Sequence, residues 1–144
     1  MTKQEFLAFS LPYGLKVLRP DNKTILQVCG IDNSSVHFYE QGAVTYGDKH
    51  KCKPILRPLS DLTKEIEHKG GEIVPIDYLW FMVIGTDDDC YSKEDFYELI
   101  ESGYIKLYPF CVVQHLIEWH FDIADLISKG EAIDVNTLDI NPYK

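Results

Sequence analysis

The sequence predicts a single α+β domain spanning residues 1–144. A small antiparallel sheet in the N-terminal half, from about residues 15–58, packs with an N-terminal helix and a helical C-terminal half. Three observations lead there. Four short segments rich in strand formers crowd residues 15–46, with turn residues between them. Beyond residue 70 the apolar residues fall in longer runs, several at helical spacing. The chain has 144 residues, 45% hydrophobic and 26% charged, enough for one sizeable core without disulfide staples.

The first helix is expected over about Thr2–Phe9. Thr2 with Glu5 forms a capping box, and Leu11-Pro12 stops it because a residue before proline disfavours the helical region. Strands are expected at Leu15–Leu18, Ile25–Ile31, Val36–Tyr39 and Ala43–Tyr46, separated by Pro20-Asp21-Asn22-Lys23, Asp32-Asn33-Ser34 and Gln41-Gly42. Connections this short suit hairpins, hence an antiparallel meander. After the proline-punctuated stretch Pro54–Leu59, Ser60 is expected to cap a short helix to about Glu67, closed by Gly70-Gly71. Ile73–Ile84 reads as a buried helix beginning near Pro75, with a buried strand as the rival. Ser92 and Asp95 cap the next helix, whose Phe96, Leu99 and Ile100 share a face and which Gly103 ends; Tyr104–Tyr108 then alternates like a strand up to Pro109.

The last helix is expected over Phe110–Lys129. Drawn at 100° per residue, it gathers Gln114, His115, Glu118, Asp122, Asp125 and Lys129 on an arc of about 100° and leaves roughly 220° apolar. A surface helix needs a stripe only about half that wide. The excess predicts a central helix or one shared with another subunit, and so a possible homo-oligomer. Leu116, Trp119, His120 and Ile123 are its interaction candidates.

Charge excludes more than it assigns. Fourteen Lys+Arg against 23 Asp+Glu give a net charge of -9. Residues 1–71 carry +2, and residues 72–144 carry -11 on 15 acidic and 4 basic side chains. Such a surface repels phosphate backbones, so direct nucleic-acid binding is not expected. Basic partners and mimicry of nucleic acid stay open. Lys49, Lys51, Lys53 and Arg57, with His50, form the one basic cluster: either a contact for an acidic partner or a solvated edge strand guarded by lysines. No export signal or bilayer-length apolar run is read, and Cys29, Cys52, Cys90 and Cys111 make no C-x-x-C pair. A cytoplasmic protein with reduced thiols and no membrane contact is expected, Cys29 and Cys111 being buried.

Chemistry-bearing patterns are thin. His115, Glu118 and Asp122 at i, i+3 and i+7 present an imidazole and two carboxylates on one helical face, a donor set that Zn, Mn or Fe accepts. The string around them misses H-E-x-x-H, because His115 and His120 are five apart and point about 140° away from each other. The ordinary alternative is a solvated His115 and a core or interface His120. Asp87, Asp89, Asp95 and Glu98 fit four positions of a calcium loop, but Tyr91 and Ser92 fail two structural ones. Nucleophile-elbow, phosphate-loop and dinucleotide motifs are absent. No catalytic residue, cofactor or resident metal is therefore assigned.

Three strings are distinctive: Leu11-Pro12-Tyr13-Gly14-Leu15, Lys53 through Leu62, and Glu118-Trp119-His120-Phe121-Asp122 leading to Gly130–Asp134. Through them most of the chain resembles small uncharacterised proteins encoded by phages and prophage-like elements of anaerobic gut bacteria. The resemblance implies an accessory role and carries no activity or site residue. The expectation is a non-enzymatic accessory protein acting through contacts with a host or phage protein. An acidic nucleic-acid mimic is the alternative, and a metal-dependent hydrolase built on His115, Glu118 and Asp122 a third reading.

Overall fold

The computed structural model describes residues 1–84, 92–102 and 108–144. Helix α1 (Lys3–Ser10) begins where its cap dictates: Glu5 N–H donates to Thr2 Oγ1 at 3.2 Å, and Thr2 N–H donates back to Glu5 Oε2 at 2.7 Å. A 3-10 turn, Leu11–Tyr13, leads through Gly14, at φ +70°, into the sheet. Strands β1 (Lys16–Leu18), β2 (Ile25–Ile31), β3 (Ser35–Glu40) and β4 (Ala43–Asp48) form the expected antiparallel meander, with Val36 and Phe38 turned inward. Strand β5 (Lys53–Leu56) joins the far side of β1, antiparallel, and β8 (Ile133–Asp134) lies parallel beside β5. The order is β4-β3-β2-β1-β5-β8, so the sheet is mixed rather than purely antiparallel. The class is α+β as the sequence predicts.

Two expected helices are corrected. The segment after Ser60 forms only a 3-10 turn, Leu59–Thr63, followed by a hairpin of β6 (Ile66–His68) and β7 (Gly71–Ile73). Lys69 and Gly70 both take positive φ at its tip, the geometry a two-residue hairpin turn demands, so Gly70 turns a hairpin rather than ending a helix. The long C-terminal helix is halved. Helix α4 (Phe110–Glu118) ends in a Schellman motif, in which Phe121 N–H donates to Leu116 O and His120 N–H to Ile117 O, with His120 at φ +62°. The chain is then captured by the end of β5: Arg57 N–H donates to His120 O at 2.8 Å and Asp122 N–H to Arg57 O at 2.9 Å.

Helix α2 (Pro75–Ile84) settles the helix-or-strand alternative in favour of the helix, but buries only one face. Ile76 and Leu79 are inside, while Tyr78 and Phe81 are exposed. Helix α3 (Lys93–Glu101) is capped by Ser92 Oγ, which accepts from Asp95 N–H, and buries Phe96 and Ile100. The expected calcium-loop residues Asp87 and Asp89 and most of the strand Tyr104–Tyr108 lie outside the described residues.

The helices pack on one face of the sheet around a core that includes Phe6, Leu15, Phe38, Leu62 and Leu116. On the other face a smaller cluster of Leu18, Ile55 and Val135 is closed by Ile133, Leu138 and Tyr143. Strand β5 is thus covered on both sides, which explains its nearly uninterrupted burial.

Candidate functional site

The end of α4, the β6–β7 hairpin and the C-terminal residues frame a cleft of about 630 Å³. Glu118 projects from the last turn of α4 toward the hairpin. Its Oε1 accepts from Lys69 Nζ at 2.8 Å and lies 3.3 Å from His68 Nε2, while Oε2 lies 3.3 Å from His115 Nδ1. Burial pushes the Glu118 carboxyl up, but the Lys69 ammonium and the two imidazoles outweigh it and hold it below the usual value. The same contact raises Lys69, whereas burial lowers His68 against the pull of Glu118. An aromatic wall stands behind. His115 stacks on Trp119 at 5.1 Å between ring centroids, and Tyr78 meets both rings edge-on.

Deeper in, the turn at residues 119–122 is held by buried polar groups. Arg57 Nε donates to Trp119 O at 3.1 Å, and its guanidinium lies over the Tyr143 ring. His120 stacks on Tyr143 at 4.0 Å between centroids, and its Nδ1 is buried without a partner. Burial, reinforced by the Arg57 charge, drives the His120 pKa down to about 3, so the ring is neutral. Tyr143 Oη accepts from Lys16 N–H and donates to Ile55 O.

This geometry redistributes the residues singled out by sequence. His115 and Glu118 do meet, as an i, i+3 pair does on any helix. Asp122 does not join them, because the helix has ended. Its carboxylate instead turns inward to accept from Leu126 N–H at 2.8 Å and Ile127 N–H at 2.7 Å, and burial raises its pKa against those bonds. No group of three or more His, Cys, Asp or Glu side chains among the described residues is placed to hold a metal ion.

Leu116, Trp119, His120 and Ile123 are all buried within this chain, Trp119 and His120 at the wall of the cleft. The basic cluster is also dissolved. Lys49 is buried with Nζ donating to Gln4 Oε1 and Asn33 O, Arg57 is buried in the cleft, and Lys53 sits on an interior strand. Lys51 and His50 remain exposed, and Lys53 is half-buried. Cys29 and Cys111 are exposed, opposite to expectation, since both thiols sit on outward-facing positions of their elements, while Cys52 is buried.

Sequence reasoning missed two features. His68 and Lys69, the other half of the Glu118 cluster, lay hidden in a segment read as the end of a helix. The second is an apolar groove of about 270 Å³ between α1 and α4, lined by Phe9, Phe110, Val113, Tyr13 and Met1. Phe9 is 56% exposed and Phe110 79% exposed. The available signal was Phe9 falling off the face shared by Phe6 and Leu7.

No protein-family model, curated protein or solved structure matches the chain. No helix among the described residues is long and apolar enough to cross a membrane.

Proposed function

We propose that the protein is a non-enzymatic accessory protein that works through protein contacts, in keeping with the resemblance of its three strings to proteins of phages and prophage-like elements. One observation carries the reading: the groove between α1 and α4, where two phenylalanines at 56% and 79% exposure flank an almost wholly apolar floor. Large side chains left in water lose the stabilisation that burial confers, roughly 1.5–3 kcal/mol each, and clustered ones mark interaction sites. The interface anticipated on the C-terminal helix is thereby moved to the N-terminal turns of α4. The mimic reading has less support. Of the acidic side chains after residue 72, Asp122 caps a buried loop and Glu118 is neutralised, while α3 alone gathers four exposed carboxylates.

The test compares wild type with the double variant Phe9→Ser, Phe110→Ser by light scattering and by affinity capture from host lysate. A partner, whether a second copy or another protein, should be recovered with wild type and lost from the variant. A monomeric wild type whose captured proteins are the same as the variant's would overturn the proposal.

A further inference from the structure

Arg57 is 5% exposed, and no carboxylate among the described residues forms an ion pair with it. The carboxylate whose charge acts on it, Asp61, is already engaged by Lys64 Nζ at 2.6 Å and Asn136 Nδ2 at 2.7 Å. Of the five N–H donors a guanidinium offers, one is used, by Trp119 O. Burying an ion without a counter-charge is costly, and evolved interiors pair such groups or give them to a ligand. Trp119 and His120, which line the same cleft as Arg57, each bury a polar atom without a partner, Nε1 and Nδ1. Lys69, Lys144 and His68 add positive or protonatable groups to its wall. The opposing carboxylates are Glu67 and Glu118, and Glu118 is neutralised by Lys69.

We propose that this cleft binds a small organic anion, its phosphate or carboxylate head seated on the free donors of Arg57 while Lys69 keeps the neighbouring Glu118 neutralised, its body against Tyr13 and Trp119. A planar fork matches the oxygens of either head group bidentately, which is the reason an arginine serves here where a lysine would not. The cleft volume accommodates a drug-sized body as well as the head. The site meets the α1–α4 groove at Tyr13, which lines both, but its anion-binding end at Arg57 does not depend on whether that groove binds a protein.

The experiment is a titration of intrinsic tryptophan fluorescence, with a thermal-shift series alongside. The probes are inorganic phosphate, benzoate and a nucleoside monophosphate with its uncharged nucleoside. The charged probes should saturate and raise the melting temperature, and the nucleoside should not. Phosphate against benzoate then separates the two head groups. Arg57→Met should weaken binding by at least ~10-fold. Lys69→Ala, at an exposed hairpin tip, should weaken it about two- to fivefold. If Arg57→Met fails to fold by circular dichroism, Lys69→Ala alone decides. No saturation by any charged probe at millimolar concentration, or binding equally strong in the variants, would overturn the site.

Discussion

His120 occupies the left-handed position that most Schellman motifs give to glycine, and it does so while buried. The ring is held there by stacking on Tyr143 and the backbone by Arg57 N–H. This has a consequence for stability against pH. The folded pKa is about 3 against an ordinary 6.5, so the folded state refuses a proton that the unfolded chain accepts. The stability is complete above about pH 6.5 and is lost progressively as the pH falls toward 3, on the order of 4–5 kcal/mol over the whole window. His68, also lowered, acts in the same direction. Urea unfolding at pH 7 and pH 4 should therefore show a marked loss in wild type. His120→Asn tolerates the left-handed backbone and should flatten part of that slope; identical slopes would assign the acid sensitivity elsewhere. Asp122 is a second single residue with leverage. Asp122→Ala strips Leu126 and Ile127 of their acceptor and should cost roughly 1–3 kcal/mol per orphaned donor, read as a lower urea midpoint.

At the scale of elements, what could be read from sequence was what local chemistry decides. The Thr2–Glu5 box, the Ser92 cap and the β1–β4 hairpins all rest on residues a few positions apart, and all stand where expected. The failures were decided at long range. Nothing between Phe110 and Lys129 announces that Arg57, more than sixty residues earlier, will supply the backbone groups that unwind the helix at Trp119. The candidate site suffered likewise. Glu118 and His115 were legible as helix neighbours, but His68, Lys69 and Arg57 reach them only through tertiary packing. Close packing in the sheet gives a test at this scale. A Cβ added at Gly47 would meet Cys52 Sγ at 2.7 Å and Phe38 Cε2 at 3.1 Å, and Cys52 is fixed by hydrogen bonds from its own N–H to Asp48 O and from Lys3 Nζ to its carbonyl. Gly47→Ala should therefore lower stability by ~1–3 kcal/mol through overpacking, although alanine is otherwise acceptable in a strand. An unchanged melting temperature would mean that β4 yields more readily than this packing implies.

For the molecule as a whole, the mixed sheet depends on the last residues returning to the first strands. Strand β8 is only two residues long, and its pairing with β5 is reinforced by Tyr143. That phenol bridges Lys16 N–H on β1 and Ile55 O on β5, while its ring closes the smaller core and carries both His120 and Arg57. One side chain thus couples two strands, the turn after α4 and the cleft. Burial raises its pKa far above the ordinary phenol value, so it remains a neutral donor throughout the pH range of folding. Tyr143→Phe keeps the ring stack and removes only the hydroxyl, depriving Lys16 N–H and Ile55 O of this partner in a partly buried setting. The expected cost is ~1–3 kcal/mol, with amide exchange accelerated at Lys16 and around the cleft and little changed in β3 and β4. Tyr143→Ala removes the stack as well and should cost ~3–5 kcal/mol. If Tyr143→Phe exchanges like wild type, packing of the ring alone secures the C-terminal segment, and the hydroxyl bridge contributes nothing to the closure.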